Sequence, residues 1–323
     1  MASTKTQRHT QKQGRLTPDQ VPLAAQILRD GGLLAFPTET VYGLGADATN
    51  GQAVARIFAA KGRPVFNPLI VHVVDLAAAE RLAVFDDLAR DLAARFWPGP
   101  LSLVLPLREG HGLSPLVTAG LESVAIRVPA APLARRLLVA VGRPVAAPSA
   151  NPSGRVSPTR AEHVRDGLGD LIDGVLDGGA CAVGLESTIL RTAPLALLRE
   201  GGLSAEAIEA AVGQPLPRDT TPGKVQAPGQ LSSHYAPSRP VQLDVTEPTP
   251  DAVLIGFGAV AGDLTLSAEG DVVEAAANLF DMLHRADRLA RAQEALRIDI
   301  APVPEAGLGR AINDRLRRAA SPR

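Results

Sequence analysis

The stretch GGLLAFPTETVYGLGADATN, residues 31–50, decides how the rest of the chain is read. A double glycine turns into the apolar run LLAF, which predicts a buried strand. The strand ends in two threonines and a glutamate, and a Gly-x-Gly turn is expected after them. Small hydroxyls and tight glycines at the end of an early strand mark the place where ligands enter α/β proteins.

Working outward, LTPDQVPLAAQILRDGG (16–32) predicts a helix with Val21, Ala24, Ala25 and Leu28 on one face, stopped by Gly31 and Gly32. NGQAVARIFAAKGR (50–63) predicts a helix capped by Asn50 and ended at Gly62. PLIVHVV (68–74), LSLVLPL (101–107), SVAIRVP (123–129) and RPVAAPSA (143–150) read as strands. FDDLARDLAARF (85–96), APLARRLLVAVG (131–142) and TRAEHVRDGLG (159–169) read as helices. VLDGG (175–179), STILRTA (187–193) and LALLREG (195–201) are expected to close the sheet as short strands, before a helix over SAEAIEAAVG (204–213). This mixture predicts an α/β fold with a large mixed, twisted sheet over residues 16–213. Residues 214–240 are rich in Pro, Gly, Ser and Thr and read as a linker, long enough to suggest a role of its own. Residues 241–323 alternate strand and helix patterns and predict a smaller α/β unit. Residues 1–15 are polar and basic and read as a disordered tail.

Composition narrows the function. The chain has 323 residues, 46% hydrophobic and 21% charged, which is a globular balance. Aromatic residues are only 3% and the formal net charge is −1, which argues against a base-stacking platform or a whole-protein basic field. The single cysteine, Cys181, allows no internal disulfide and no thiolate zinc site, and suits the cytoplasm. The chain has no membrane-length apolar run and no apolar segment near its start. There is no Walker A pattern, no G-x-S-x-G and no H-E-x-x-H, and the six histidines show no metal-ligand spacing. GFGAVA (256–261) matches the dinucleotide fingerprint G-x-G-x-x-A, but turn and strand residues follow where a helix is needed, so the match reads as accidental.

Four polar centres remain. AAKGRPVFNPLIVH (59–72) carries Lys61, Arg63, Asn67 and His72; Lys61 and Gly62 also suit an ordinary helix end. Arg63 has no such explanation, and two cations about a glycine suit phosphate. Arg127 sits in an apolar strand and needs water, an edge position or an anion. APSANPSGRVSPTR (147–160) crowds Ser149, Asn151, Ser153 and Ser157 into a loop after a strand, and GLESTIL (184–190) and LLREGG (197–202) add Ser187, Thr188 and Arg199. Turn chemistry uses the same residue types. Together they suit a polyphosphate-like ligand beside a small polar one.

FPTETVYGLGAD, KGRPVFNPLIVH, FWPGPLSLVL, VAIRVP, APSANPSG, GLESTIL and LLREGG, in this order, resemble the YrdC-type threonylcarbamoyl-AMP synthases. APGQLSSHYAP (227–237) and the C-terminal α/β segment resemble the longer, two-domain form. The resemblance implies a YrdC-like concave catalytic domain over 16–213 and a Rossmann-like second domain. It implies that threonine and bicarbonate form a carbamate, which attacks the α-phosphate of ATP, with Mg²⁺. Threonylcarbamoyl-AMP then passes to a separate transferase that modifies an adenosine of tRNA. By resemblance, Lys61 and Arg63 are catalytic. Thr40, His72, Arg127, Ser149 and Ser187 hold threonine or carbamate. Arg63, Asn67, Ser123, Asn151, Ser157, Thr159, Arg199 and Tyr235 meet the nucleotide, with the 214–240 linker as a lid. No protein-held metal and no general base are assigned. Two readings compete: an RNA-binding module of the same fold, with weak tRNA contact, and carbamoyl transfer of the hydrogenase-maturation kind. The latter expects zinc-finger cysteines, which the chain lacks.

Overall fold

The computed structural model describes residues 14–218 and 234–322. The first unit contains β1 (Arg15–Leu16), α1 (Val21–Arg29), β2 (Leu34–Pro37), β3 (Tyr42–Asp47), α2 (Gly51–Lys61), β4 (Ile70–His72), α3 (Leu76–Glu80) and α4 (Asp87–Phe96). It continues through β5 (Leu101–Pro106), α5 (Pro115–Thr118), β6 (Ser123–Arg127), α6 (Pro132–Val141), β7 (Val145–Ala146) and α7 (Ala161–Leu168). It closes with β8 (Gly174–Leu176), β9 (Thr188–Thr192), β10 (Leu195–Arg199) and α8 (Ala205–Val212). The second unit holds β11 (Val241–Gln242), β12 (Ala252–Gly256), β13 (Leu264–Thr265), α9 (Val272–Ala292), β14 (Arg297–Ile300) and α10 (Leu308–Ala320).

The first unit is built on a ten-stranded mixed sheet in the order β1-β8-β2-β3-β7-β4-β6-β5-β9-β10. The four-stranded sheet of the second unit, β11-β14-β12-β13, is parallel throughout. The large sheet is covered unequally, and this asymmetry positions the site. On one face Val71, Leu103 and Ile126 join α2, α4, α5 and α8 in the main core. Alternate residues point the other way. There Ile70, Val104, Ala125, Ile189, Ala196 and Leu198 form only a small apolar cluster. His72 and Arg127 share that face by the period of two, so polar chemistry collects on the thinly covered side.

Local signals explain the elements. The α1 face is buried as its spacing predicts, through Val21, Ala24, Ala25 and Leu28. Asn50 caps α2 by accepting from the Gln52 and Ala53 amides, and Gly62 ends it in the left-handed conformation. Three expectations are corrected. The Gly-x-Gly of GLGAD is not a turn: it is the middle of β3, antiparallel to β2, with Phe36 opposite Gly43 and Leu34 opposite Gly45. A Cβ on Gly45 would lie 2.9 Å from the Phe36 ring, so the glycine admits an aromatic neighbour instead of bending the chain. VLDGG does not close the sheet beside STILRTA; β8 lies between β1 and β2, near the opposite end. Arg15, read as tail, pairs with Val175, while residues 1–13 lie outside the described residues. GFGAVA is followed by a turn and β13, so no helix opens there.

The units share packing. Val41, Val156, Leu185 and Tyr235 belong to the same core as α9, α10 and β12 of the second unit. Gly184 comes so close to α9 that a Cβ on it would lie 2.5 Å from the Ala276 carbonyl oxygen. Of the linker, 219–233 lies outside the described residues. Its start runs beside β10, where the Leu197 amide donates to Pro217, and its end is held by the Ala236 amide donating to Gly154.

Candidate active site

A cavity of about 50 Å³ opens on the thinly covered face of the large sheet. Thr40 comes from the β2–β3 loop, Arg63 from the end of α2, His72 from β4 and Arg127 from β6. Ser149 follows β7, Ser187 precedes β9, Arg199 ends β10, and His234 and Tyr235 arrive from the linker. These are separate strand ends, so the sheet order brings distant stretches of chain to one hollow.

The cations are held by carbonyls and by one carboxylate. Arg63 donates from Nε to the Asn67 carbonyl (3.1 Å) and from Nη2 to that of Pro68 (2.8 Å), so the guanidinium bridges its own tight loop. Burial, and then Arg199 nearby, lower its pKa to about 10. Lys61 is buried and donates to the carbonyls of Ser149 (2.6 Å) and Asn151. Burial, with Arg63 beside it, pulls its ammonium well below the ordinary amine range. Lys61 therefore ties the KGR segment to the SAN segment. Arg199 donates twice to the Ser187 carbonyl, at 3.1 and 2.8 Å, and to its hydroxyl at 3.2 Å. Ser187 in turn shares a hydrogen bond with Ser102 at 2.7 Å.

Arg127 lies on an interior strand, so an edge position does not explain it. Its anion is Glu39: Nη2 meets the carboxylate at 2.6 Å, while Nη1 donates to Thr40 Oγ1 at 2.8 Å and Nε to the Gly99 carbonyl at 3.1 Å. Burial pushes Glu39 up, but the charge and hydrogen bond of Arg127 outweigh it, and the carboxyl sits below its usual range. Burial and Arg127 push His72 down to about 3, so it is neutral at physiological pH.

Some candidate residues stand outside this cavity. Asn151 donates to the carbonyls of Pro152 and Arg155, each at 2.9 Å, and lines a neighbouring hollow with Arg155 and His284. Asn67 reaches the site through its carbonyl; its Oδ1 is buried without a partner among the described residues. Ser157 donates to Glu186 at 2.6 Å, and the Thr159 hydroxyl is buried without a partner among the described residues. Ser123 starts the strand that Arg127 ends, roughly 13 Å away at strand rise. Lid residues 219–233 lie outside the described residues.

Three residues that sequence reasoning did not select matter here. Glu39 was signalled by Arg127, a buried cation in need of an anion. Glu186 lines the cavity and accepts from Ser157 and from Arg315 Nε (3.0 Å). Burial raises Glu186, yet Arg315 and Arg199 hold it below the usual carboxylate range. Arg315 lies on the apolar stripe of α10, between Ala311, Ile312, Leu316 and Ala319, and a cation there is a readable signal. Tyr235 has φ 63 and stacks on Phe280 at 5.5 Å, and such backbone strain persists where surroundings enforce it.

Among the described residues, Glu162, His163 and Asp281 could bring three metal donors together. His163 Nδ1 already accepts from the Thr159 amide, so the neutral ring presents a proton at Nε2, and Asp281 is paired with Arg160 at 2.9 Å. His163 Nε2 lies 3.4 Å from Asp281 and is buried without a hydrogen-bond partner among the described residues. Cys181 is buried, and burial and Glu39 raise its thiol, which leaves it unreactive.

The cavity concentrates guanidinium and hydroxyl groups, and among the described residues no hydroxyl on its wall is hydrogen-bonded to a histidine or carboxylate other than through Ser157 and Glu186. Its chemistry is to grip and orient anions. Comparisons with known proteins give the family. The family model described as "Telomere recombination" (Sua5, YciO, YrdC) matches residues 26–201, and "Threonylcarbamoyl-AMP synthase, C-terminal domain" matches 203–321. Threonylcarbamoyl-AMP synthase of Bacillus subtilis is 43% identical, covering 94% of this chain and 94% of the relative. That of Pyrococcus abyssi is 40% identical over 94% of this chain and 95% of its own length. The crystal structure of P. abyssi Sua5 complexed with L-threonine superposes with a TM-score of 0.86 at 39% identity, covering 95% and 96% of the two chains. The chain belongs to the two-domain threonylcarbamoyl-AMP synthases of the Sua5/YciO/YrdC family.

Proposed function

We propose that L-threonine, bicarbonate and ATP bind side by side at this cavity and over its open mouth and yield L-threonylcarbamoyl-AMP and pyrophosphate. The observation that carries this reading is the convergence of Arg63, from the end of α2, with Arg127, Arg199 and Ser187, from three separate strand ends, on one polar hollow. Threonine's amine and bicarbonate form a carbamate with loss of water. A carbamate oxygen attacks the α-phosphorus, and the bond to the bridging oxygen breaks as pyrophosphate leaves with its electron pair. The attacking oxygen is already anionic, so that step needs no general base. Positioning and charge stabilisation carry such transfers.

Arg63 and Arg199 are the phosphate-facing cations, and Lys61 fixes the loop around Ser149 and Asn151. Thr40, Ser149, Ser187 and neutral His72 are short-reach partners for threonine. Arg127, already bound to Glu39, offers its remaining donors to the amino-acid carboxylate. Asn67, Asn151, Ser157 and Thr159, from segments next to this cavity, and Ser123, at the far end of the Arg127 strand, are the further nucleotide contacts of this proposal. Tyr235 is the described linker residue that meets the nucleotide in this proposal. Mg²⁺ fits as an ion carried by the triphosphate: the carboxylate on the cavity wall, Glu186, is already paired with Arg315 and Ser157. When bound, the ion neutralises charge on the leaving pyrophosphate. The product supplies a separate transferase that modifies tRNA, with at most weak tRNA contact here. Among the described residues no helix is long and apolar enough to cross a membrane, and a cytoplasmic site of action belongs to this proposal.

The test is threonine-dependent pyrophosphate release from ATP, Mg²⁺, bicarbonate and labelled threonine. Lys61→Ala and Arg63→Ala are each expected to lower kcat/KM by about a hundredfold or more, the scale of losing a preorganised electrostatic contact. Full turnover in both variants would remove the assignment. Release that does not depend on threonine would remove the reaction.

A further inference from the structure

The cavity has an electrostatic problem. A polyphosphate drawn in by Arg63 and Arg199 meets Glu186, a buried carboxylate on the same wall. Like charges at close range in a dry site repel strongly. The answer comes from the other unit. Arg315 of α10 has no exposed surface; its Nε lies 3.0 Å from Glu186, its Nη1 lies 3.0 Å from Asp314, and its guanidinium stands 5.5 Å over the Tyr235 ring. One side chain thus touches the cavity's carboxylate and the aromatic ring that the linker brings to it.

We infer that Arg315 is a positioning residue for the nucleotide half of the reaction. It occupies Glu186 so that Arg199 stays turned toward Ser187 and the cavity.

Without Arg315, the cation left to answer Glu186 is Arg199, which already contributes to holding that carboxylate ionised. Glu186 would then take up a charge that the phosphates need. A purely structural staple is a weaker account. The α10 helix is already anchored in the second core by Ile312, Leu316 and Ala319, and Arg310 adds an ion pair to Glu206 at 2.6 Å. A buried ion pair is a poor means of adding stability where apolar residues would pack as well. Its position against the cavity wall is what gives it a use. The second unit is thereby part of the active site, not an appendage to it.

This inference rests on the ATP site proposed above, and steady-state kinetics separates the two. A parent chain without threonine-dependent pyrophosphate release removes that site reading itself. With an active parent, Arg315→Met is expected to raise KM for ATP about tenfold or more, while KM for threonine moves less than threefold. Arg315→Gln, which keeps a donor for Glu186 and so protects the fold, is expected to show the same split. The double variant Glu186→Gln with Arg315→Met removes both charges and is expected to return KM for ATP to within threefold of the parent. A merely structural role would move both KM values together and would show no such rescue. The inference is overturned if the single variants keep the parental KM for ATP, or if the double variant binds ATP no better than Arg315→Met.

Discussion

Two buried arginine–glutamate pairs stand at the cavity, and they are built differently. Arg127 and Glu39 belong to one unit. The arginine spends its donors on Glu39, Thr40 and Gly99, and the second oxygen of Glu39 accepts from the Ala131 amide at 3.2 Å. Arg315 and Glu186 belong to two units, and Arg315 Nη2 is buried without a partner among the described residues. The first pair lies within one unit at the cavity wall, and its surroundings do not change when the two units part. Water reaches the second as soon as the two units part. The same chemistry therefore supports the fold in one place and its assembly in the other, which is why one pair suits a fixed floor and the other a coupled wall.

The largest effect that would break this comparison comes from cutting each pair on its cationic side. Arg127→Met leaves Glu39, whose side chain is 11% exposed, without its cation, and about 3 kcal/mol of global stability, the low end of the range for breaking a buried pair, is expected to go. Arg315→Met leaves Glu186 in the same condition but with an escape, since separation of the units hydrates it. Its loss in global stability is expected to be less than half as large, with protease cleavage between the units accelerating first. Urea unfolding of both variants, read with limited proteolysis, measures this. Equal losses in a single transition would mean that the two units form one cooperative core and that the distinction is false.

A smaller effect tests the interface from its backbone. Gly184 has φ +74, and a Cβ there would meet the Ala276 carbonyl oxygen and the Ala277 Cα at 2.5 Å. No flexible side-chain tip is present to yield. Gly184→Ala adds left-handed strain of about 1–2 kcal/mol to that clash, so the interface is expected to loosen while the large sheet stays folded. Faster cleavage between the units with an unchanged far-UV spectrum is the expected result. Parental resistance to protease would show that the close approach is not needed to hold them.

The comparison also explains what could be read without coordinates. Arg63, Ser149, Ser187 and Arg199 line the cavity, and in the sequence they stand out only as a set of polar residues at the ends of periodic segments, because ordinary helix-end and turn chemistry uses the same residue types. Arg127 was legible as a question, a charge in an apolar strand, but Glu39 was not legible as its answer, because pairing across the sheet carries no sequence spacing. The Gly-x-Gly of β3 misled because glycine serves turns and close approach alike, and only the Phe36 ring opposite tells them apart. Glu186 and Arg315 were invisible together because they are contributed by separate units. The stripe position of Arg315 was readable, its partner was not.

The smallest effect concerns histidines, again one within a unit and two between units. His72 is buried in the cavity, while His163 of α7 and His284 of α9 stack across the interface with ring centroids 3.9 Å apart. Burial is the first cause holding His284 down to about 4; the Ser157 carbonyl opposes it, Arg288 adds to it, and Asp281 and Asp287 pull the other way. The sign follows from proton counting. Below about pH 6.5 the unfolded chain takes a proton on each histidine that the folded chain refuses, so stability falls as pH drops from 6.5 toward the folded value. The acid limb should therefore begin above the range where Glu39 and Glu186 protonate, and each such histidine contributes at most about 1.4 kcal/mol per pH unit. His284→Gln is expected to flatten the curve by about 1 kcal/mol between pH 6 and 5, visible in cleavage between the units as well as in global unfolding. His72→Gln is expected to flatten only the global curve, since no interface lies beside it. If His284→Gln leaves the slope unchanged, that ring is already protonated in the folded chain, and the stacked pair is a charged contact shared with Asp281 instead of a neutral one.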